Sequence, residues 1–321
     1  MYEIIVNPAS KSGKGQKIWS QLEPILIGRN ISYHVNFSTR AGHVTEIVKG
    51  LTASLTSDSP LLNIIVLGGD GTMNETLQGV SCFERVQIGY IPTGSSNDFA
   101  RDLHLPKDPV SLLNRILDCI SPRFMDVGQL TYGNTEQLSR LHSQEAPSFR
   151  QFGVSCGIGF DAAVCEEALA SRFKNILNKL GIGKLTYLSI ALKQIISSKK
   201  IPCDIYLDDN EPIHLPKFLF VAAMIHQYEG GGFKFCPGAL DNDGLLDVCV
   251  VGNISKPLIF FALPTAFTGN HYRFNGIDHY LVKKLRIETQ APLWVHTDGE
   301  VHTKSSSITM TCQQQKLALL L

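Results

Sequence analysis

The chain carries no surplus of charge: 29 basic residues balance 29 acidic ones, for a formal net charge of zero. That balance argues against bulk nucleic-acid binding, which calls for a basic surface. Long apolar runs are also missing. No stretch reaches the roughly 18 consecutive apolar residues of a membrane span, and the best candidate, 257–267, is interrupted by Pro264. The eight cysteines are scattered, with no CxxC pair and no zinc spacing. Reduced thiols are therefore expected, rather than a disulfide framework or a structural zinc. The ten histidines show no ligand spacing either, and His226, His271 and His296 read as core or surface residues. The N-terminus runs straight into the strand-like Tyr-Glu-Ile-Ile-Val of residues 2–6, which leaves no room for a signal peptide. A soluble cytoplasmic protein is expected.

Hydrophobic residues make up 44% of the chain and charged residues 18%, the balance of a globular protein. At 321 residues it is too long for one comfortable core and reads as two domains. Up to about residue 126, strand candidates (3–6, 32–37, 63–67, 86–90) alternate with helix candidates (17–29, 43–55, 73–80, 109–119). Such alternation predicts βαβ units around a parallel sheet, with ligands at the carboxyl ends of its strands. After residue 127 the pattern changes to short β-branched segments at 149–155, 204–207, 218–225, 246–251, 285–289, 293–297 and 308–311. Turn signals such as Asp208-Asp209-Asn210 separate them, and an antiparallel sandwich or barrel follows. A helical block at 161–197 interrupts it, and the polar stretch 133–147 reads as a surface loop or hairpin tip.

Residues 68–75 read Gly-Gly-Asp-Gly-Thr-Met-Asn-Glu, directly after the apolar run 64–67. That run predicts a strand buried on both faces, and the double glycine lets the backbone turn sharply and approach a ligand. A glycine turn feeding a helix N-terminus suits phosphate. Asp70, placed inside the turn, would repel phosphate unless a magnesium ion bridged the two. A tight turn capped by an aspartate is the alternative. Residues 7–15, Asn-Pro-Ala-Ser-Lys-Ser-Gly-Lys-Gly, form a second small-residue turn whose spacing is not that of a Walker A loop. Residues 91–101, Ile-Pro-Thr-Gly-Ser-Ser-Asn-Asp-Phe-Ala-Arg, form a third. Near the C-terminus, Asp298-Gly299-Glu300 reads either as a hairpin turn or as a general base on a rigid turn. Residues 237–246 can supply the carboxylate and carbonyl oxygens that magnesium prefers, or form another hairpin.

Taken together and in this order, these motifs resemble the diacylglycerol kinase catalytic domain family, which includes soluble bacterial lipid kinases and the sphingosine and ceramide kinases. The resemblance runs from Asn7 through Glu300; the first motif is shared with NAD kinases, whereas Ser95 to Arg101 is much more specific to lipid kinases. It implies a Rossmann-like α/β nucleotide domain (1–126, with about 304–321 returning to it) and a β-sandwich-like lipid domain (127–303), with the site in the cleft between them. It also implies ATP held by Asn7, Pro8, Ala9, Ser10, Lys11, Thr39, Gly69, Asp70, Gly71, Thr72, Met73, Asn74, Glu75 and Ser95. Glu300 would accept the proton. Asp70, Asp98 and Asp126 would organise catalytic magnesium and its polar network, and Lys179 would reach the site. Asp243, with the carbonyls of Leu240 and Leu245, would hold a structural magnesium. Two departures stand out: Lys11 replaces a usual glycine, and Ser95 a commoner threonine.

The activity implied is γ-phosphoryl transfer from ATP to a lipid hydroxyl, with diacylglycerol giving phosphatidate for phospholipid biosynthesis. A sphingoid base or NAD is the alternative acceptor, and a silent nucleotide-binding lipid sensor is the non-enzyme alternative. A lipid substrate requires peripheral contact with the membrane. Residues 172–200 hold Arg172, Lys174, Lys179, Lys184, Lys193, Lys199 and Lys200 and no acidic residue, with Leu185, Leu188, Leu192, Ile195 and Ile196 at helical spacing. They read as a surface for anionic lipid or as an ordinary core stripe with solvated lysines. A homodimer is an expectation from the family alone.

Overall fold

Short runs of branched, apolar residues build the sheet of the first of two compact units. The computed structural model describes residues 1–133, 148–170, 193, 195 and 200–321. One unit comprises Met1–Val127 with Gln313–Leu321, and the other Gly128–Cys312.

In the first unit, β1 (Tyr2–Val6), β2 (Tyr33–Phe37), β3 (Leu62–Gly68) and β4 (Val86–Pro92) run parallel in the order β2-β1-β3-β4. The final strand, β14 (Glu300–Leu319), brings Ala318 and Leu319 alongside Gln87 and Ile88, again parallel. Ile64 to Leu67 are buried, as a strand covered on both faces requires. Around the sheet lie α1 (Ser10–Gly28), α2 (His43–Thr52), α3 (Asp70–Gly79), the single turn α4 (Asp98–Arg101) and α5 (Pro109–Leu117). Trp19, Leu22 and Leu26 of α1 join Leu112, Leu113 and Ile116 of α5 over Ile65, Leu67 and Ile91 in one core cluster. The start of α5 follows from its sequence. Asp108 accepts the Ser111 N–H at 2.8 Å, and Pro109 occupies the first turn, where no amide hydrogen is needed.

Two helices begin earlier than the apolar pattern predicts. α1 starts at Ser10 rather than Lys17, and α3 starts at Asp70, so Asp70 belongs to the helix rather than to the turn before it. Small and polar residues in both first turns hide them from a periodicity reading. The first turn of α1 is irregular, with Lys11 at φ +45° and Gly13 at φ +91°.

The second unit is antiparallel. Its sheet runs β12 (Ile277–Val282), β11 (Leu246–Val251), β10 (Phe220–Met224), β7 (Ser155–Gly159), β13 (Lys284–Thr297), then β14. The hairpin of β8 (Ile201–Leu207) and β9 (Ile213–Phe218) joins at β13. β10 shows why the sheet is two-sided. Val221 and Ala223 enter one core cluster, while Phe220, Ala222 and Met224 enter another beside α6 (Phe160–Ala170) and α7 (Lys256–Thr265). β5 (Arg123–Tyr132) and β6 (Phe149–Phe152) pair antiparallel with Thr131 opposite Phe149, and the polar segment 134–147 between them lies outside the described residues. Asp241 to Gly244 do not make a two-stranded hairpin; they end the long connection from β10 and lead into β11. The apolar run near Pro264 is α7, and no helix among the described residues is long and apolar enough to cross a membrane. All eight cysteines are free.

Ile65, fully buried in β3, meets helices of the first unit through its side chain. Ile65→Ala is expected to lower the unfolding free energy by about 2–5 kcal/mol through lost transfer energy and a cavity. Denaturant unfolding followed by circular dichroism checks this.

Candidate active site

Three strand ends in the first unit carry turns that lock onto one another. Asn7, just past β1, donates from Nδ2 to Thr72 Oγ1 of α3 at 3.0 Å. Ser10 and Thr93 share a hydroxyl hydrogen bond of 2.7 Å, joining the turns after β1 and β4. The Thr93 N–H donates to the Gly68 carbonyl at 2.8 Å. Gly69 and Gly94 meet backbone to backbone: a Cβ on Gly94 would stand 2.7 Å from Gly69 Cα, closer than real atoms come. Any side chain at Gly94 would force the two turns apart, so the glycine spacing seen in the sequence is a packing requirement. Asn97, held in the left-handed region at φ +51°, fixes the third turn by accepting the Gly94 N–H at 2.9 Å and donating to the Gly94 carbonyl.

The carboxylates of this edge are anchored to backbone amides. Asp70 Oδ1 accepts the Phe99 N–H at 3.2 Å, tying the start of α3 to α4. Asp98 is 7% exposed and lies 3.4 Å from Arg101. Tyr90 is fully buried, with its ring packed edge-on against Phe99 and a hydroxyl that has no hydrogen-bond partner. Burial pushes its phenol well above its ordinary pKa, and the charges of Asp70 and Asp98 add to the effect. Asp70 and Asp98 offer carboxylate oxygens, the kind of donor a hard cation such as magnesium takes.

Other residues expected at the ATP site also make contacts within the protein. Glu75 accepts the Gly42 and Val44 amides at 2.8 and 3.0 Å, which satisfies the N-terminus of α2 and orients the turn after β2. Thr39 in that turn is exposed and bonded to His43. Met73 and Asn74 are each 1% exposed and point into the protein. Ser95 and Ala9 are exposed on their turns, Pro8 is half-buried, and so is Gly71 in the first turn of α3. Lys11 is exposed and left-handed, a backbone shape that glycine takes at no cost. Asp126, fully buried in β5, accepts the Gln315 amide at 2.7 Å, where β14 has a left-handed residue at φ +48°.

In the second unit, Asp298 and Gly299 form the turn between Thr297 and Glu300, which face each other across β13 and β14. Asp298 takes three amides, from Gly153, Val154 and Ser155, at 3.0, 2.8 and 3.0 Å, and its own N–H donates to the Ser155 carbonyl. Arg150 is 9% exposed and donates to Thr297 Oγ1 at 3.1 Å. Burial pushes its guanidinium pKa down, while Tyr132, Asp298 and Glu300 pull it up. A buried cation thus acts on the tip that carries Glu300. The turn 241–244 has Gly244 at φ +79° and the Leu245 N–H on Asp243 Oδ1 at 2.9 Å, with Leu240 exposed just before it. Its carboxylate and neighbouring carbonyls again fit a hard cation in kind.

Lys179 lies outside the described residues, as do 171–192, 194 and 196–199 of the basic segment. Of the rest, Lys193 pairs with Glu167, Lys200 donates to the Ile254 carbonyl, and Ile195 is buried in a core cluster. Tyr90, Arg150, Asp161, Glu229 and His296 were not singled out as site residues from sequence. No local pattern marks them, because their partners are far away in the chain.

Residues 2–130 match the family model described as the diacylglycerol kinase catalytic domain, and residues 154–321 match the YegS C-terminal NAD kinase beta sandwich-like domain. A Bacillus subtilis protein provisionally named lipid kinase YtlR is 24% identical over 300 residues, 93% of this chain and 92% of that protein. A diacylglycerol kinase of Mycobacterium tuberculosis is 26% identical over 238 residues, covering 74% and 70% of the two chains. The crystal structure of a diacylglycerol kinase from Bacillus anthracis shares the fold, with a TM-score of 0.71, 22% identity and coverage of 99% and 96%.

Asp298→Ala strips the acceptor from three backbone amides at once. It is expected to cost about 2–3 kcal/mol of stability, with Asp298→Asn losing less because one acceptor oxygen remains. Thermal melting of the two variants beside the parent checks the order.

Proposed function

This chain belongs to the diacylglycerol kinase family, and within it we propose that it transfers the γ-phosphoryl group of ATP to the hydroxyl of diacylglycerol, giving phosphatidate. The observation that carries this reading is the interlocked edge of the first unit. Three glycine and hydroxyl turns are bound to one another there and present Asp70 and Asp98 beside amide-rich helix starts.

Phosphoryl transfer passes through a loose, highly charged transition state, so positioning and charge neutralisation do most of the catalysis. Backbone amides from the turns at Asn7 to Lys11 and Gly69 to Thr72 would cradle the phosphates. Glycines at 69 and 94 allow close backbone approach, and the Ser10, Thr72, Thr93 and Ser95 hydroxyls offer further donors. Asp70 and Asp98 would hold a magnesium ion, which when bound neutralises phosphate oxygens and orients them for in-line transfer. Asp126 would steady the same network from β5, and Asp243 with the Leu240 and Leu245 carbonyls would hold a second, structural ion. Met73, Asn74 and Glu75 would complete the ATP-holding stretch, and Glu75 also holds the start of α2.

The acceptor hydroxyl is a very weak acid at neutral pH, so its proton needs a carboxylate as attack proceeds. Glu300 is assigned that role. Its oxygen takes the lipid O–H proton while the hydroxyl oxygen bonds to the γ-phosphorus and the bond to the ADP oxygen breaks. Arg150 places a buried positive charge that interacts with Glu300 at this tip. A substrate that resides in a bilayer also calls for contact with the membrane surface.

Transfer from labelled ATP to diacylglycerol, monoacylglycerol, sphingosine and ceramide in mixed micelles, with NAD as a soluble control, tests the substrate. Phosphatidate is the expected product. Transfer to NAD alone, or to no acceptor while ATP still binds, would overturn the reading. Glu300→Gln is expected to lower kcat by about 10²–10⁴ with ATP affinity unchanged. Asp70→Asn is expected to abolish transfer and also to weaken magnesium-dependent ATP binding, measured by calorimetry; full activity there excludes the assigned role.

A further inference from the structure

The hairpin tip that carries Glu300 is held by a buried imidazole with no part in the reaction scheme. Asp298 and Gly299 both have positive φ, +51° and +81°, the geometry of a two-residue type I′ turn. Such a turn pairs the residues on either side of it and supplies no partner for the amide of its second residue. Here His296 Nδ1 accepts that Gly299 N–H at 3.1 Å. The ring is 1% exposed, and its Nε2 lies 3.1 Å from Asp161 Oδ2 and 3.2 Å from Glu229 Oε1.

Accepting at Nδ1 requires a lone pair there, so the proton of the neutral ring sits on Nε2 and points at the two carboxylates. Cys165, Glu229 and His296 do present ligand atoms within 4.8 Å of one another. A metal at Nε2 would need the position that this proton occupies, so the tautomer speaks against one. Burial opposes a charged ring, whereas Glu229 and then Asp161 favour it and pull its pKa upward. The Gly299 N–H works against that pull, because a second proton would have to sit on Nδ1 and face another donor; the bond to Gly299 is one that the neutral ring makes. Gly157 makes room for the cluster, since a Cβ there would collide with the Asp161 carboxylate and the His296 ring. Asp161 comes from the first turn of α6, and Glu229 from a loop closed by its bridge to Phe233.

We propose that His296 is a positioning residue for the proton acceptor: it clamps the Gly299 amide and so aims Glu300, while Asp161 and Glu229 set the ring's tautomer. This rests on the assignment of Glu300 as the base. A histidine that merely filled the core would be replaceable by any side chain of similar bulk, and the hydrogen bond predicts otherwise. His296→Asn places a side-chain oxygen near the position of Nδ1, able to accept from Gly299. His296→Leu keeps bulk without an acceptor.

The test uses the full chain and steady-state kinetics with diacylglycerol in mixed micelles, with melting temperatures measured in parallel. His296→Leu is expected to lower kcat by roughly 10- to 100-fold with the KM for ATP unchanged, and His296→Asn to stay within about threefold of the parent. In a Glu300→Gln background, His296→Leu is expected to add no further loss, because the group it aims is already gone. Equal losses in the Asn and Leu variants that track their melting temperatures would overturn the proposal, as would a further loss in the Glu300→Gln background. If Glu300→Gln is inactive while His296→Leu keeps full turnover, the positioning role fails and the base stands; if Glu300→Gln keeps full turnover, it is the base assignment that fails. Should His296→Leu not fold, Asp161→Asn carries the test. It frees the tautomer, and an unchanged kcat there would overturn the proposal.

Discussion

The contact between the backbones of Gly69 and Gly94 is the constraint on which the first unit's ligand edge depends. Two parallel strands, β3 and β4, end side by side in register, Gly68 opposite Pro92. The turns that follow must leave in directions that let both feed helices. They achieve this by packing main chain on main chain, which excludes a Cβ at Gly94 and leaves little room for one at Gly69. Once the turns touch, the Thr93 amide finds the Gly68 carbonyl and Asn97 closes its own loop onto Gly94. The result is a rim of amides and hydroxyls whose geometry is fixed by the protein's own main chain. Preorganised groups of this kind stabilise developing charge without having to rearrange during the reaction.

A second theme runs through both units: carboxylates hold irregular backbone in place. Asp70 takes the Phe99 amide, Glu75 the start of α2, Asp126 the left-handed Gln315, and Asp298 three consecutive amides of the loop between β6 and β7. Each such bond restricts the side chain and rigidifies a turn that local propensity alone would leave adaptable. A carboxylate held in this way still has lone pairs for a metal ion or a proton, since each oxygen can accept more than once. Structural and chemical duties therefore do not compete at these positions. In the second unit the theme reaches furthest, because His296 passes the constraint from Asp161 and Glu229 to the hairpin turn that bears Glu300.

Much of the architecture was readable in the order of residues. The buried run before Gly68, the glycine-rich turns at three strand ends and the change to short β-branched segments are local patterns with local causes, steric freedom for glycine and period-two burial for strands. The starts of α1 and α3 were harder to see, because their first turns carry glycine and polar residues and no apolar face. β14 was visible only as 308–311, yet spans Glu300–Leu319, since much of it is polar and is held as strand by pairing with β13.

The sequence by itself determined the alternation of elements, the sites where only glycine would serve, and the acidic residues available for chemistry. Tertiary structure alone decided what each acid touches. Tyr90 feels the charge of Asp70 because β4 lies beside β3, and His296 meets Asp161 across 135 residues of chain because β13 pairs with β7. Such partnerships depend on strand register and on which faces meet in the core. Neither is written in local periodicity, because many registers satisfy the same alternation of apolar and polar residues until the whole sheet is assembled.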